Sequence, residues 1–162
     1  IYIGDERCVP MRHKDRNDQI INEVWLSNSP IPKKNIHFIK AELGLLEARV
    51  EYENTLKKID KFDVVLLSMG EDGHIASLFP DHIYSENQSV VIEKNSPKTP
   101  KERISMSYER FNKSKYVVKL IVGESKKKAL NLIADEKILP VSRVFGDIEK
   151  NYICMHKYIK LV

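Results

Sequence analysis

Cysteine is scarce in this sequence: two among 162 residues, Cys8 and Cys154, far apart, with no CxxC pair and no Cys/His ligand spacing. That excludes a disulfide framework and a thiolate metal site, and it suits a reducing, cytoplasmic compartment. Long hydrophobic runs are missing as well. The longest, Val64 to Leu67 and Tyr152 to Met155, have four residues, against roughly 18 for a membrane span. Aromatic residues amount to 8% and are not interleaved with basic ones on one face, which argues against a nucleic-acid surface. Neither charge sign dominates: 27 basic and 23 acidic side chains leave a formal net charge of +4. That mild excess by itself suits an anionic small molecule as well as it suits nucleic acid. What is present is a globular composition, 42% hydrophobic and 31% charged, enough for a core under a soluble surface and unlike a disordered chain. The chain opens on Ile-Tyr-Ile-Gly rather than on Met or a signal-like segment, and a preceding segment is expected.

Three apolar, β-rich segments end in turn residues: Ile1 to Ile3 before Gly4, Val64 to Leu67 before Gly70, and Tyr116 to Val122 before Gly123. Tyr152 to Met155 and Ile36 to Ile39 are weaker strand candidates. Helical patterns lie between them, at Asp18 to Leu26, at Leu45 to Ile59 with Leu46, Val50 and Tyr52 on or near one face, and at Glu124 to Ala134. Alternating strands and helices predict one α/β domain over residues 1–162, a Rossmann-like doubly wound, mostly parallel sheet with helices on both faces. Ligands in such sheets sit beyond the carboxyl ends of strands. Function is therefore sought in Gly4 to Met11, Ser68 to His82 and Gly123 to Ser125.

The most informative of these is Ser68-Met69-Gly70-Glu71-Asp72-Gly73-His74-Ile75-Ala76-Ser77-Leu78-Phe79-Pro80. A strand ends, two glycines bracket an acidic pair, and a histidine opens an apolar stretch expected to begin a short helix. Gly70 and Gly73 would let the backbone pass close to a ligand, and N–H groups of that helix would face it. His74 titrates near neutrality and is placed to take a proton from water. Asp72 is placed to hold the ring. The plainer alternative is a simple Asp-Gly turn with an exposed histidine. In Gly4-Asp5-Glu6-Arg7-Cys8-Val9-Pro10, Arg7 suits a phosphate or a developing oxyanion, unless Asp5, Glu6 and Arg7 are only a surface ion-pair cluster. In the loop from Ser96 to Ser105, stiffened by Pro97 and Pro100, Lys98 and Arg103 suit an anion grip or are merely solvated.

Together GDERCVP, SMGEDGHIASLFPDH and SPKTPKERIS resemble the three characteristic blocks of 6-phosphogluconolactonases, in that order and at similar separations. Weaker matches follow at Lys115 to Leu130 and Leu139 to Val144. Related sugar-phosphate isomerases and deaminases share Asp-Gly-His-Ile-Ala but typically continue into Phe-Asn-Glu-Pro; Ser77-Leu78-Phe79-Pro80 here favours the lactonase branch. The resemblance implies hydrolysis of 6-phospho-D-glucono-1,5-lactone to 6-phosphogluconate, in the oxidative pentose phosphate pathway, with neither metal nor cofactor. It implies His74 as the group that activates water, Asp72 as its orienting acid and Arg7 as a residue of the site. Lys98 and Arg103 would hold the phosphate, with Gly70 and Gly73 at the substrate.

The chain departs from the family pattern in three places. Asp81 stands where the family usually has glycine. An upstream strand and a Gly-Gly-Ser-Thr type phosphate loop have no counterpart. The ending, Asn151 to Val162, is unusually basic, with His156, Lys157 and Lys160. From the second departure, the chain alone is expected to be aggregation-prone and poorly active. Two other functions remain open at this level: an amino-sugar-phosphate isomerase or deaminase with Asp5 as base, and a sugar-phosphate-binding module without turnover.

Overall fold

The computed structural model describes residues 1–154, so His156, Lys157 and Lys160 lie outside the described residues. Among the described residues six strands form two sheets. The first is antiparallel, in the order β1 (Asp5–Arg7), β4 (Arg103–Met106), β3 (Val90–Glu93). The second is parallel, in the order β2 (Phe62–Ser68), β5 (Ser114–Val122), β6 (Ile148–Cys154). Four helices accompany them: α1 (Asn17–Val24), α2 (Leu45–Leu56), α3 (Tyr108–Asn112) and α4 (Lys127–Ala134).

The α/β class and the parallel sheet follow the sequence expectation, and β2 and β5 coincide with its two strongest apolar runs. The antiparallel sheet does not follow it. Ile1 to Ile3 forms only a bridge, Tyr2 to His37, and the strand proper begins after Gly4, at Asp5. Arg103, expected in a loop, opens β4 opposite Arg7. These strands are short and carry polar residues, so they gain little from their own apolar pattern. Their stability comes from pairing with each other, Val90 with Met106 through Glu93 with Arg103.

The face of α2 also differs from expectation. Ala48, Tyr52 and Leu56 are buried, whereas Leu46 and Val50 are exposed. At about 100° per residue, positions 48, 52 and 56 share one stripe and position 50 lies across from it. The stripe lies against β3 and β4, and the fully buried Tyr52 donates its hydroxyl proton to the carbonyl of Ile3 at 2.8 Å. In β2, Val65 and Leu67 point into the core that both sheets share, while Val64 and Leu66 are 59% and 68% exposed. Cover on both faces of the parallel sheet is thus not found at these positions among the described residues.

No described helix is long and apolar enough to cross a membrane. The topology places the end of β2, at Ser68, beside β5. The chain then makes a long excursion through the antiparallel sheet before returning as β5.

Candidate active site

Strand β2 ends at Ser68, and the chain folds back at once: Gly73 donates its N–H to Gly70 O at 3.1 Å, and Gly70 N–H bonds to His74 O at 2.8 Å. The helix expected after His74 does not form. Gly73 has φ +87° and Ala76 φ +46°, conformations that end a right-handed helix. Ile75 and Leu78 bridge across a second turn instead. Backbone N–H groups of a helix start are therefore not offered here.

This double turn holds the histidine. His74 Nδ1 meets Asp72 Oδ1 at 2.5 Å, and the same carboxylate accepts the His74 backbone N–H at 3.2 Å. The His74 side chain is 15% exposed and that of Asp72 is 36% exposed. Burial lowers the His74 pKa below the ordinary 6.5, outweighing the upward pull of Asp72. Burial alone would raise Asp72, but its hydrogen bond and charge interaction with His74 win and hold it low. The result is an ionised carboxylate that accepts a hydrogen bond from Nδ1–H and leaves Nε2 of a neutral imidazole as the free base.

Gly70 and Gly73 serve this geometry from within. A Cβ on Gly70 would sit 2.0 Å from Nδ1 and Cε1 of His74, and one on Gly73 would sit 2.6 Å from Cδ1 of Leu139. The ring of His74 thus occupies the space that any side chain at position 70 would need. Leu139 closes the far side, with Val141 N–H bonded to Gly73 O at 3.1 Å. The Phe79 ring, 1% exposed, lies with its centroid 4.6 Å from that of His74. Asp81 takes φ +61°, a left-handed conformation that aspartate tolerates better than most side chains, so the turn survives without glycine.

Strand alternation sorts the Asp-Glu-Arg block. Asp5 and Arg7 share one face of β1 and Glu6 takes the other. Glu6 is fully buried, and its carboxylate accepts the N–H groups of Arg7, Asn17 and Asp18, each at 2.8 Å. It caps the start of α1, where Arg16 supplies no side-chain cap, and is no surface ion pair. Arg7 donates from Nη1 to Asn17 Oδ1 at 2.6 Å and to Asp15 O at 2.9 Å, while its buried Nε has no partner. Asp5 accepts the Ser77 hydroxyl at 2.6 Å and Asn17 Nδ2 at 3.1 Å. Its two oxygens are tied to the His74 turn and to α1.

Arg103 is 4% exposed and donates from Nε to Pro100 O at 2.9 Å and from Nη2 to Lys98 O at 3.0 Å. Its guanidinium carbon lies 5.5 Å from the Phe79 ring centre. Arg103 therefore shapes the loop that carries Lys98, whose own side chain is exposed. Burial lowers the Arg103 pKa, and the neighbouring Arg7 charge adds to this. Two cations directly opposed across a strand pair repel, an arrangement that a bound anion relieves. Lys98 and Asp5 both act electrostatically on His74. The residues singled out from sequence are thus brought together. The segment Gly123 to Ser125 has no observed link to them.

These blocks also align with known proteins. The model of the family described as glucosamine-6-phosphate isomerases/6-phosphogluconolactonase matches residues 1–153. The chain belongs to this family. A probable chloroplastic 6-phosphogluconolactonase of Oryza sativa subsp. indica is 38% identical over 162 aligned residues, which cover 87% of this chain and 50% of that protein. The 6-phosphogluconolactonase of Thermotoga maritima is 34% identical over 90% of this chain and 66% of its own length. Its crystal structure superposes with a TM-score of 0.88 at 32% identity, covering 96% of this chain and 72% of that one. The chain therefore spans between about half and two thirds of these relatives' sequences.

Sequence reasoning missed Asn17, Phe79 and Leu139 as supports of this candidate site. Asn17 lies 10 and 12 residues from the partners it joins, Arg7 and Asp5, and no local pattern marks such a contact. A cavity of about 800 Å³ lies elsewhere, between α1 and the 26–38 segment, and none of the site residues lines it. By NMR, the His74 imidazole is expected to titrate below 6.5. Asp72→Asn, which removes an upward influence, should move the titration lower still; a rise in that variant would contradict the electrostatic balance described above.

Proposed function

We propose that this chain carries the hydrolytic site of a 6-phosphogluconolactonase acting in the cytoplasm on 6-phospho-D-glucono-1,5-lactone. The observation that carries the reading is the His74–Asp72 pair: a neutral, half-shielded imidazole with Nε2 free, at the carboxyl end of a parallel strand. The names of the relatives support the substrate class.

In this reading His74 Nε2 takes a proton from a water molecule as its oxygen bonds to the lactone carbonyl carbon. The carbonyl electron pair moves onto oxygen, where Arg7 is the candidate to stabilise the charge. When the carbonyl re-forms, the ring C–O bond breaks and the imidazolium returns its proton to the departing alkoxide, giving the free acid and a hydroxyl. Asp72 keeps the imidazole in the required tautomer and stabilises its charged form. A lactone is an activated ester, so no covalent nucleophile is needed. The isomerase alternative would require Asp5 as a free base, and Asp5 is engaged by Ser77 and Asn17.

Lys98 is assigned to the phosphate, with Arg103 holding its loop. Lys98→Ala is expected to raise KM for the phosphorylated lactone about tenfold or more while changing hydrolysis of unphosphorylated gluconolactone little, because charge-assisted contacts to phosphate are lost selectively. Parallel assays of the two lactones with both proteins test this. Equal weakening would remove Lys98 from the phosphate, and no hydrolysis of either lactone by the full-length wild-type protein would count against the lactonase reading itself.

A further inference from the structure

A second polar group, outside the residues assigned to the reaction, sits beneath the His74 turn. Glu93, the last residue of β3, is 4% exposed. Its Oε2 accepts the Tyr84 hydroxyl and His82 Nδ1, both at 2.6 Å, and its Oε1 accepts the Asn95 N–H at 2.6 Å. Tyr84 completes a chain, since its oxygen accepts the backbone N–H of Phe79 at 2.9 Å. Phe79 is the residue whose ring packs 4.6 Å from His74, and it lies 6.0 Å from the ring of His82.

Burying an ionised carboxylate is costly unless it is well supplied with donors, and here two of the three, His82 and Tyr84, come from the segment that leaves the turn, while the third, the Asn95 N–H, comes from the chain just beyond β3. Glu93 lies opposite Arg103 in the strand pairing, yet Arg103 directs Nε and Nη2 at carbonyls of its own loop. The Glu93 carboxylate is thus directed at the turn. Of the groups packed on the His74 ring, Gly70 and Asp72 are fixed by local chain geometry. Phe79 comes after a second turn, and its backbone is pinned by Tyr84.

We propose that Glu93 is a positioning residue for His74, acting through Tyr84 and the Phe79 backbone to fix the ring against which the imidazole rests. This builds on the role of His74 in the proposed function. Tyr84→Phe keeps the ring and removes the link; Glu93→Gln keeps the shape and removes the charge. Two readouts are needed. The first is the NMR position of the His74 ring protons, which the Phe79 ring current shifts; their assignment comes from His74→Ala. The second is steady-state lactone hydrolysis. Val91→Ala, a buried neighbour on β3 with no part in the network, reports what a loss of stability alone does.

In both network variants the His74 resonances are expected to move, and kcat to fall about tenfold with KM changed less than about twofold, the signature of a misplaced base. Val91→Ala should lower the melting temperature and leave the resonances and kcat near wild type. A folded Tyr84→Phe with unmoved His74 resonances and wild-type kcat would overturn the proposal, and that variant decides the matter if Glu93→Gln does not fold. Resonances that move in a protein whose lactone hydrolysis is indifferent to His74→Ala would support the positioning role and reject the proposed function.

Discussion

His74→Ala is expected to lower kcat for lactone hydrolysis by a factor of about 10² to 10⁴, the range for loss of a general base, with KM changed little. With Nδ1 committed to Asp72 at 2.5 Å, the basic lone pair of the imidazole is the one on Nε2. Removing the imidazole leaves Asp72 as the remaining carboxylate, and a carboxylate is a weaker base toward water than an imidazole even once the pull of His74 is lost. The contact assigned to substrate binding, at Lys98, comes from another segment and stays in place, which is why KM should hold. The fold should hold as well: the truncation removes a ring that packs on Phe79 but no backbone hydrogen bond. Stopped assays of the lactone, corrected for its spontaneous hydrolysis, give kcat and KM separately. A variant retaining near wild-type kcat would end the assignment of His74.

Gly70→Ala is expected to cost about 10² in kcat while shifting the melting temperature only slightly. The added Cβ would lie 2.0 Å from two ring atoms of His74 and 2.8 Å from Cγ, well inside any tolerable contact. What must give is the end of a side chain, so the ring swings away and the turn survives, with Gly70 N–H still bonded to His74 O. A base displaced by an ångström or so loses about 10² in rate. Gly73→Ala should behave differently. Its φ of +87° makes any side chain strained, and its Cβ would press on Leu139, so stability falls by about 1–2 kcal/mol along with activity. Paired thermal melts and kcat measurements on the two variants separate a displaced base from a strained turn. Wild-type kcat in Gly70→Ala would mean that the ring position does not govern the rate.

How far the sequence reached can be followed element by element. Strands β2 and β5 were legible because each is an apolar run with a glycine just beyond it. Strands β3 and β4 were not, since Val90–Glu93 and Arg103–Met106 are short and each carries a charged residue at one end. They exist because they pair with each other and with β1. The helix expected after His74 was misplaced because Ile75 to Phe79 has helix-compatible residues, while Ala76 at φ +46° turns the chain the other way. Leu78 and Phe79, both buried, are drawn into the core, and that tertiary demand outweighs local propensity.

By itself the sequence determined the chemistry available at the end of β2: an aspartate two residues before a histidine, between glycines, at the close of an apolar strand. Connectivity alone makes those groups neighbours, because a tight turn leaves Asp72 and His74 within reach of each other whatever the rest of the chain does. It also determined the three blocks by which the family is recognised. What only the tertiary structure decided is the task of residues whose partners no local pattern marks. Arg103 anchors the loop of Lys98, Glu6 caps α1, Asn17 ties Arg7 to Asp5, and Glu93 reaches Phe79 through Tyr84. The Arg103 and Glu93 contacts depend on the β1–β4–β3 register, which sets the segments that come within hydrogen-bonding distance, and the Glu6 and Asn17 contacts depend on the packing of α1 against β1. That register is settled by the competition among many weak non-local pairings in the whole folded chain, which no stretch of a few residues records.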